Sequence, residues 1–197
     1  MAPQDLPLLT FANAAAFERW LGDQPGDAAG AWLRFAKRGA PDPTIAKTDA
    51  VDCALAHGWV DGQLGGIDAH YFKTRFTPRK PRSAWSQLNC RRVEQLIAAG
   101  RMAPGGLAQV ELARSDGRWE AAYAPQGKAT PDADLIAALE ASPSALAFFE
   151  ALDSANRYAV LYRLHQAKTP ERRAAKLAEL VGKLACGESF HPRRQRR

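Results

Sequence analysis

The segment from residue 70 to residue 93 concentrates the chemistry that is needed to hold an anion. It contains no Asp or Glu but seven cations, which are Lys73, Arg75, Arg79, Lys80, Arg82, Arg91 and Arg92. An arginine can hold a carboxylate or a phosphate through two parallel hydrogen bonds. Prolines interrupt the middle of the segment, where a strand-like pattern gives way to a helical one. The pattern therefore predicts an anion-binding loop ahead of a helix, whose free N–H groups also favour negative charge.

Side chains on both sides of this loop could complete a binding site. The candidate set is Trp59, Asp61, Arg75, Arg79, Ser83, Trp85, Ser86 and Asn89. In this interpretation the arginines hold the charge, the serines and the asparagine add hydroxyl and amide contacts, and the tryptophans cover a pocket. The structural alternative is that a serine caps the helix, the tryptophans pack in the core and the arginines are solvated.

Asp61 has two possible roles. As a general base, with Arg79 as an anion clamp, it would make the protein an enzyme that acts on an anionic small molecule. As a counter-ion for Arg75 or Arg79 it would be structural, and we favour this role because the cationic segment has no acid of its own. No recognised catalytic motif accompanies it, so catalytic residues and enzymatic activity are left open.

The charge distribution makes nucleic acid a third possible partner. The net charge is +6, and subtracting the four arginines of the tail and the seven cations of segment 70–93 leaves −5 for the remainder. The basic character is thus local. Aromatic residues alternate with the cations, as in single-strand binding platforms, but Phe72 and Phe76 share the expected core face and leave only Tyr71 for stacking. We therefore place a small anionic ligand or an acidic protein partner ahead of nucleic acid.

The sequence gives no sign of a cofactor or a metal site. His57 and His70 are isolated, the three cysteines are far apart, and no glycine-rich nucleotide motif follows a strand. We expect Cys53, Cys90 and Cys186 to be structural thiols. The start of the chain has no signal-peptide pattern and no apolar run is long enough to span a membrane, which predicts a cytoplasmic protein. The oligomeric state is not indicated.

The elements that must position these residues are indicated by caps and periodicity. Asn13 is expected to cap a first helix, and Thr48 a second one that ends at Gly58. Residues 31–37 alternate as a strand, with Leu33 and Phe35 on one face and Trp32 and Arg34 on the other. After a turn at Gly65 and Gly66, residues 70–77 form another strand.

The second strand separates its residues by chemistry. Phe72, Thr74 and Phe76 lie on one face, and Lys73 and Arg75 lie with Tyr71 and Thr77 on the opposite face. Ser83 or Ser86 then caps a third helix, and Pro104 begins a fourth. The second face is thus either the solvent side of a sheet or the wall of a site.

The rest of the chain is helical. Residues 124–131 have the composition of a linker, and helix starts are expected at Pro131, at Ser142 with Pro143, at Ser154, and at Thr169 with Pro170. The predicted class is α+β, a small antiparallel sheet packed by helices and followed by a C-terminal helical module. The predicted boundaries are an α+β domain over 10–124, a helical module over 130–187, and a disordered basic tail over 188–197.

Several strings resemble one family in order along the chain. They are Gly58-Trp-Val-Asp-Gly62, Phe76-Thr-Pro-Arg79, Ser83-Ala-Trp-Ser-Gln-Leu-Asn89 and Gly100-Arg-Met102, with Asp134-Leu-Ile-Ala-Ala-Leu139, Phe149-Glu-Ala-Leu152, Ala167-Lys168, Arg172 and Arg173 in the C-terminal module. Together they resemble the YdeI/OmpD-associated family, whose members are often labelled bacteriocin-protection proteins. The resemblance runs from about Phe11 to Gly187. It implies a binding or stress-protection protein with the two-part fold predicted above. Ahead of the Asp-Gly pair, Ala56 and His57 stand where the family commonly has cysteine and phenylalanine.

Overall fold

The computed structural model describes residues 6–192, which divide into two compact units at the boundary between Ala122 and Tyr123. The last five residues of the predicted basic tail, 193–197, lie outside the described part. The α+β class is confirmed: the first unit holds a four-stranded sheet with helices packed on it, and the second unit is helical.

The first unit alternates short strands and helices. Its elements are β1 (Leu8–Leu9), α1 (Ala14–Gly22), β2 (Ala31–Ala36), α2 (Lys47–Ala56), β3 (Trp59–Gly66), β4 (Tyr71–Pro78), α3 (Gln87–Ala98) and α4 (Pro104–Ser115). The strand order is β1-β2-β4-β3. The three longer strands pair with one another antiparallel, as predicted, whereas the two-residue β1 runs parallel to β2 at the edge.

The two faces of the sheet differ in chemistry as the alternation predicts. Leu33 pairs with Thr74, and Phe35 pairs with Phe72, on the face that α1 and α2 cover. Phe76 is fully buried in the same core cluster. The opposite face carries the cations of β2 and β4, because successive side chains of a strand point to opposite sides.

A second core cluster lies among α2, α3 and α4. Trp85, which is 2 % exposed, packs there with Val93 of α3 and Val110 of α4. The Trp85 and Trp119 rings are 5.0 Å apart between centroids. The segment between β4 and α3 is therefore anchored by a buried aromatic side chain.

The structure tests three of the predicted helix caps. Asn13 caps α1 as predicted, since its side chain accepts a hydrogen bond from the Ala16 N–H. The cap predicted at Thr48 is wrong: α2 begins at Lys47 after Ala46, whose methyl group cannot cap. Ser83 and Ser86 were the two candidate caps of α3. The capping residue is Ser86, whose hydroxyl accepts a hydrogen bond from the Asn89 N–H at 3.1 Å.

The turn predicted at Gly65 and Gly66 is also wrong. The strand β3 continues to Gly66 and pairs with β4, with a shift of register between Asp61 and Leu64. The local glycines suggested a break, but backbone pairing with β4 keeps the chain extended. The reversal follows at residues 67–70, where the Asp68 side chain accepts from two backbone N–H groups.

The second unit consists of four helices around one core. They are α5 (Ala133–Glu140), α6 (Pro143–Ala151), α7 (Ser154–His165) and α8 (Pro170–Ala185). Leu135, Leu180 and Leu184 are fully buried in their common core cluster. Asn156 is also fully buried, and its amide accepts from the Phe190 and His191 N–H groups. Within residues 6–192, no helix combines the length and the apolar character that crossing a membrane requires.

Candidate anion-binding site

Arg79 is the most buried cation of the predicted loop. It directly follows β4, is only 6 % exposed, and its guanidinium carbon lies 3.5 Å from the centroid of the Trp85 ring. Its Nη1 donates to the Ala84 carbonyl at 3.2 Å. Burial usually disfavours a charged group unless other groups compensate for lost hydration. Stacking on an indole and the carbonyl contact supply part of that compensation and fix the orientation of the guanidinium plane.

The backbone beside Arg79 is held by the end of α2. The Arg79 N–H donates to the Gly58 carbonyl at 2.9 Å, and the Ala103 N–H donates to the Ala56 carbonyl at 3.0 Å. Gly58 has a φ of +78°, and a Cβ there would come within 2.8 Å of the Gly105 carbonyl oxygen. This position therefore requires glycine, both for its left-handed backbone and for the close approach of α4.

A cavity of about 480 Å³ opens beside these contacts. Its lining comes from the C-terminal part of α1 and the loop after it, the end of α2, the start of β3, the end of β4, and the first turn of α4. The lining residues are Leu21, Gly22, Gln24, Pro25, Gly26, His57, Gly58, Trp59, Pro78, Arg79, Ala103, Pro104, Gly105 and Gln109. Arg79 is the only formally charged residue among them when His57 is neutral, and none of them is a carboxylate.

The first turn of α4 contributes a second electropositive feature. The first N–H groups of a helix lack partners within the helix and carry the positive end of its dipole. The N-cap residue is Ala103, which has no side-chain acceptor, and Pro104 and Gly105 follow it in the cavity lining. Arg79 and this helix start thus line the same cavity.

Gln24, His57 and Gln109 are the polar side chains of the cavity that the sequence did not assign to a site. Burial lowers the pKa of His57 below 6.5, and the charge of Glu18 opposes this shift. His57 is therefore mainly neutral near pH 7. The Gln109 Oε1 is buried and accepts no hydrogen bond from any residue in the described range. An amide can present its NH₂ group instead of its oxygen by rotation, so Gln109 can donate to a bound acceptor.

The missed residues had only a weak local signal. The string Pro104-Gly-Gly106 is typical of a helix start that another backbone approaches closely. Gly106 is in fact buried, and a Cβ there would lie 2.1 Å from the Ala56 carbonyl oxygen. Nothing in the sequence indicated that this helix start would meet residues 56–58.

Asp61 lies outside this cavity. Its carboxylate pairs with Lys47 Nζ at 3.4 Å, and both side chains are partly exposed. The sequence predicts Arg75 or Arg79 as its partner, whereas the ion pair that forms uses a cation at the start of α2. Asp61 pairs with Phe76 in the sheet, so its side chain lies on the helix-covered face, away from the face of Arg75.

Most of the remaining predicted residues make structural contacts, whereas Arg75 lies on the sheet face opposite the helices. Trp59 is 4 % exposed and stacks edge-on with Trp20, yet it also borders the cavity. The Ser83 hydroxyl accepts from the Lys80 N–H in a turn. Asn89 is partly buried in the first turn of α3, where its own N–H donates to the Ser86 hydroxyl. Of the eight candidates, Trp59 and Arg79 line this cavity, and Trp85 supports Arg79.

Together, the fold and the site define a two-unit α+β protein with a buried arginine in the wall of an open cavity. Each of the two units is matched by a family model. Residues 9–109, slightly more than half of the chain, match a family described as a domain of unknown function (DUF8412), and the chain belongs to that family. Residues 128–187 match the family described as bacteriocin-protection, YdeI or OmpD-associated, so the chain also contains a domain of this type.

The second match confirms the family that the sequence suggested, but only within the second unit and not from about Phe11 onward. The YdeI/OmpD-associated model covers the helical second unit, whereas the strings around Trp59 and Arg79 fall within the other family's range. Comparisons with curated proteins and with solved structures found no match.

Proposed function

We propose that this protein binds a small anion in the cavity beside Arg79, as a binding or stress-protection protein of the YdeI/OmpD-associated type. The observation that carries the proposal is the position of one buried arginine. Arg79 is 6 % exposed, oriented by the Trp85 ring, and placed in the lining of a cavity of about 480 Å³.

The electrostatics of the cavity favour an anion over a neutral ligand. A charge interaction is stronger where water is largely excluded, and the stacked guanidinium loses little conformational entropy on binding. The start of α4 adds donors and a positive dipole end on the same wall. The volume suits a small molecule with one phosphate or carboxylate rather than a single ion alone. Trp59 and the prolines of the lining could contact its apolar part.

Binding is better supported than catalysis by Asp61. The general base of the enzyme hypothesis would have to reach a ligand held by Arg79, but Asp61 is not among the lining residues and pairs with Lys47. His57 is the titratable side chain other than Arg79 in the lining. A cytoplasmic location stays a prediction, as does the protective role that the family description names.

A thermal-shift screen with inorganic phosphate, carboxylates and nucleoside phosphates tests the proposal. We expect at least one of these anions to raise the melting temperature of the full chain, and Arg79→Gln to weaken its binding by about tenfold or more, as for other hydrogen bonds to charged groups. Isothermal titration with the same anion measures that change directly.

The matched control is Arg82→Gln, because Arg82 lies three residues later in the same loop and is exposed. Both variants remove one positive charge, so a general electrostatic effect would weaken binding equally. Equal losses in the two variants, or no stabilising anion in the screen, would contradict the proposal. Arg79→Lys separates charge from geometry, since lysine keeps the charge but cannot form the bidentate contact.

A further inference from the structure

The sheet face opposite the helices carries a cationic surface that is separate from the Arg79 cavity. We define the cationic sheet face by five residues of β2 and β4, which are Trp32, Arg34, Tyr71, Lys73 and Arg75. Trp32 pairs with Arg75, and Arg34 pairs with Lys73, so these side chains point to the same side. None of the five lines the cavity.

The cations of this face lie along the sheet rather than extending into solvent. The guanidinium of Arg34 is 4.3 Å from the centroid of the Tyr71 ring, and Lys73 Nζ is 4.6 Å from that of the Trp32 ring. These contacts connect diagonal neighbours of the two strands, which long side chains can reach. Each cation is thereby held in place, with its aliphatic stem against an aromatic ring.

Two glycines of β3 extend this flat surface. A Cβ on Gly62 would lie 3.8 Å from Arg75 Nε, and a Cβ on Gly65 would lie 3.5 Å from Lys73 Cε. The side chains of Arg75 and Lys73 therefore rest over a strand that carries no side chain at these positions. The result is a flat area with three positive charges in neighbouring positions.

The Asp42 carboxylate accepts from the Tyr71 hydroxyl at 3.3 Å, but no ion pair in the described structure balances the cations of this face. Among residues 6–192, no carboxylate forms an ion pair with Arg34, Lys73 or Arg75. Like charges directly opposite each other, such as Arg34 and Lys73, destabilise a sheet. In the same range, Arg34 Nε and Arg75 Nε are also buried without a hydrogen-bond acceptor. A polyanionic partner would relieve the repulsion between these charges.

The arrangement favours an acidic peptide over single-stranded nucleic acid. Nucleic-acid platforms offer bare aromatic faces on which bases stack, whereas here Arg34 and Lys73 already lie over both rings. Lys73 and Arg75 are two residues apart on one strand, a spacing of about 7 Å. Alternate residues of an extended peptide have the same spacing, so its carboxylates can face both cations.

We propose that the cationic sheet face docks an acidic protein segment in an extended conformation. Carboxylates at alternate positions of that segment contact Lys73 and Arg75, and a neighbouring one contacts Arg34. Recognition rests on charge complementarity across a flat surface, which gives fast and salt-dependent association. The partner is therefore defined by its chemistry, a stretch rich in Glu or Asp.

Fluorescence anisotropy with a labelled oligoglutamate peptide tests this inference. We expect the full chain to bind the peptide, with an affinity that falls as salt is added. The triple variant Arg34→Gln, Lys73→Gln, Arg75→Gln should bind about tenfold more weakly or worse. Glutamine keeps much of each aliphatic stem, and circular dichroism checks the fold. The three single variants provide the same comparison, with smaller losses, if the triple variant does not fold.

Two control variants, the first of them charge-matched, separate this face from other basic parts of the chain. Changing Lys80, Arg82 and Arg91 to Gln removes three exposed charges elsewhere in the first unit. Changing Arg193, Arg194, Arg196 and Arg197 to Gln removes the charge of the tail. Binding that survives in both controls and is lost in the triple variant supports the proposal. Equal losses in the triple variant and in either control, no binding, or tighter binding of a charge-matched oligothymidylate would overturn it.

Discussion

Replacing Gly106 by alanine tests the contact on which the cavity wall depends. The added Cβ would lie 2.1 Å from the carbonyl oxygen of Ala56 and 2.8 Å from its carbonyl carbon. Both atoms belong to the backbone at the end of α2, so no side chain can simply rotate away. Relief of this overlap requires α4 to move away from residues 56–58, and we expect a shift of roughly 1 Å.

The expected loss of stability follows from three contributions. Overpacking of this kind costs about 1–3 kcal/mol. The hydrogen bond from the Ala103 N–H to the Ala56 carbonyl, now 3.0 Å long, would be lost at a cost of about 1 kcal/mol. The higher helix propensity of alanine returns about 1 kcal/mol. Gly106→Ala should therefore destabilise the first unit by about 1–3 kcal/mol.

Urea unfolding followed by tryptophan fluorescence measures this change in the right part of the molecule. The five tryptophans are Trp20, Trp32, Trp59, Trp85 and Trp119, and all lie in the first unit. With a slope of about 2 kcal/mol per molar urea, the midpoint should fall by about 0.5–1.5 M. Because the shift displaces the start of α4, the variant should also bind the cavity anion more weakly.

Gly105→Ala is the matched control in the same helix turn. Its Cβ would meet the His57 carbonyl oxygen at 3.5 Å, which is an ordinary van der Waals contact. We expect a change within about 0.5 kcal/mol, or a small gain from helix propensity. Equal midpoints for Gly106→Ala and the wild type, or equal losses for both variants, would refute the packing argument.

Three further predictions address thiols, pH and the second unit. Burial raises the pKa of Cys53 to about 12 and that of Cys90 to about 11. A thiol reagent should therefore label only the exposed Cys186 quickly in the native protein, and rapid labelling of a second thiol would contradict this prediction. Burial lowers the folded-state pKa of His57 below 6.5, so the unfolded chain binds a proton on this histidine before the folded chain does, and stability should fall as pH drops below 6.5. In urea unfolding at several pH values, His57→Gln should reduce this dependence of stability on pH. An unchanged dependence would rule His57 out as its source. Asn156→Ala removes buried hydrogen bonds to two backbone N–H groups and should destabilise the second unit by about 1–3 kcal/mol. Urea unfolding followed by circular dichroism measures this loss. An unchanged unfolding curve would show that these hydrogen bonds contribute little to stability.

Local patterns predicted the parts of the fold that depend on neighbours in the chain. The alternation of residues 70–77 correctly separated Phe72 and Phe76 from Lys73 and Arg75, because strand geometry sends successive side chains to opposite faces. Asn13 was correctly identified as a cap, because its side chain bonds a backbone N–H only three residues away. The cap at Thr48 failed because α2 begins two residues earlier, at Lys47 after the cap residue Ala46.

The candidate site could be predicted only in part. Arg79 was among the predicted residues, but the sequence could not distinguish it from the exposed Arg82 in the same loop. The pairing of Asp61 with Lys47 joins residues on different elements, and no spacing in the sequence predicts it. Hydrogen bonds to the Ala56 and Gly58 carbonyls are equally non-local.

The sequence by itself determined that the cations are concentrated between residues 70 and 93, and that the chain folds as an α+β unit followed by a helical one. Only the tertiary structure decided how those cations are used. It buries Arg79 against Trp85 beside a cavity and leaves Lys73 and Arg75 on the outer face of the sheet. The reason is physical: composition and periodicity fix which residues share an element or a face, whereas a cavity forms where distant elements pack together.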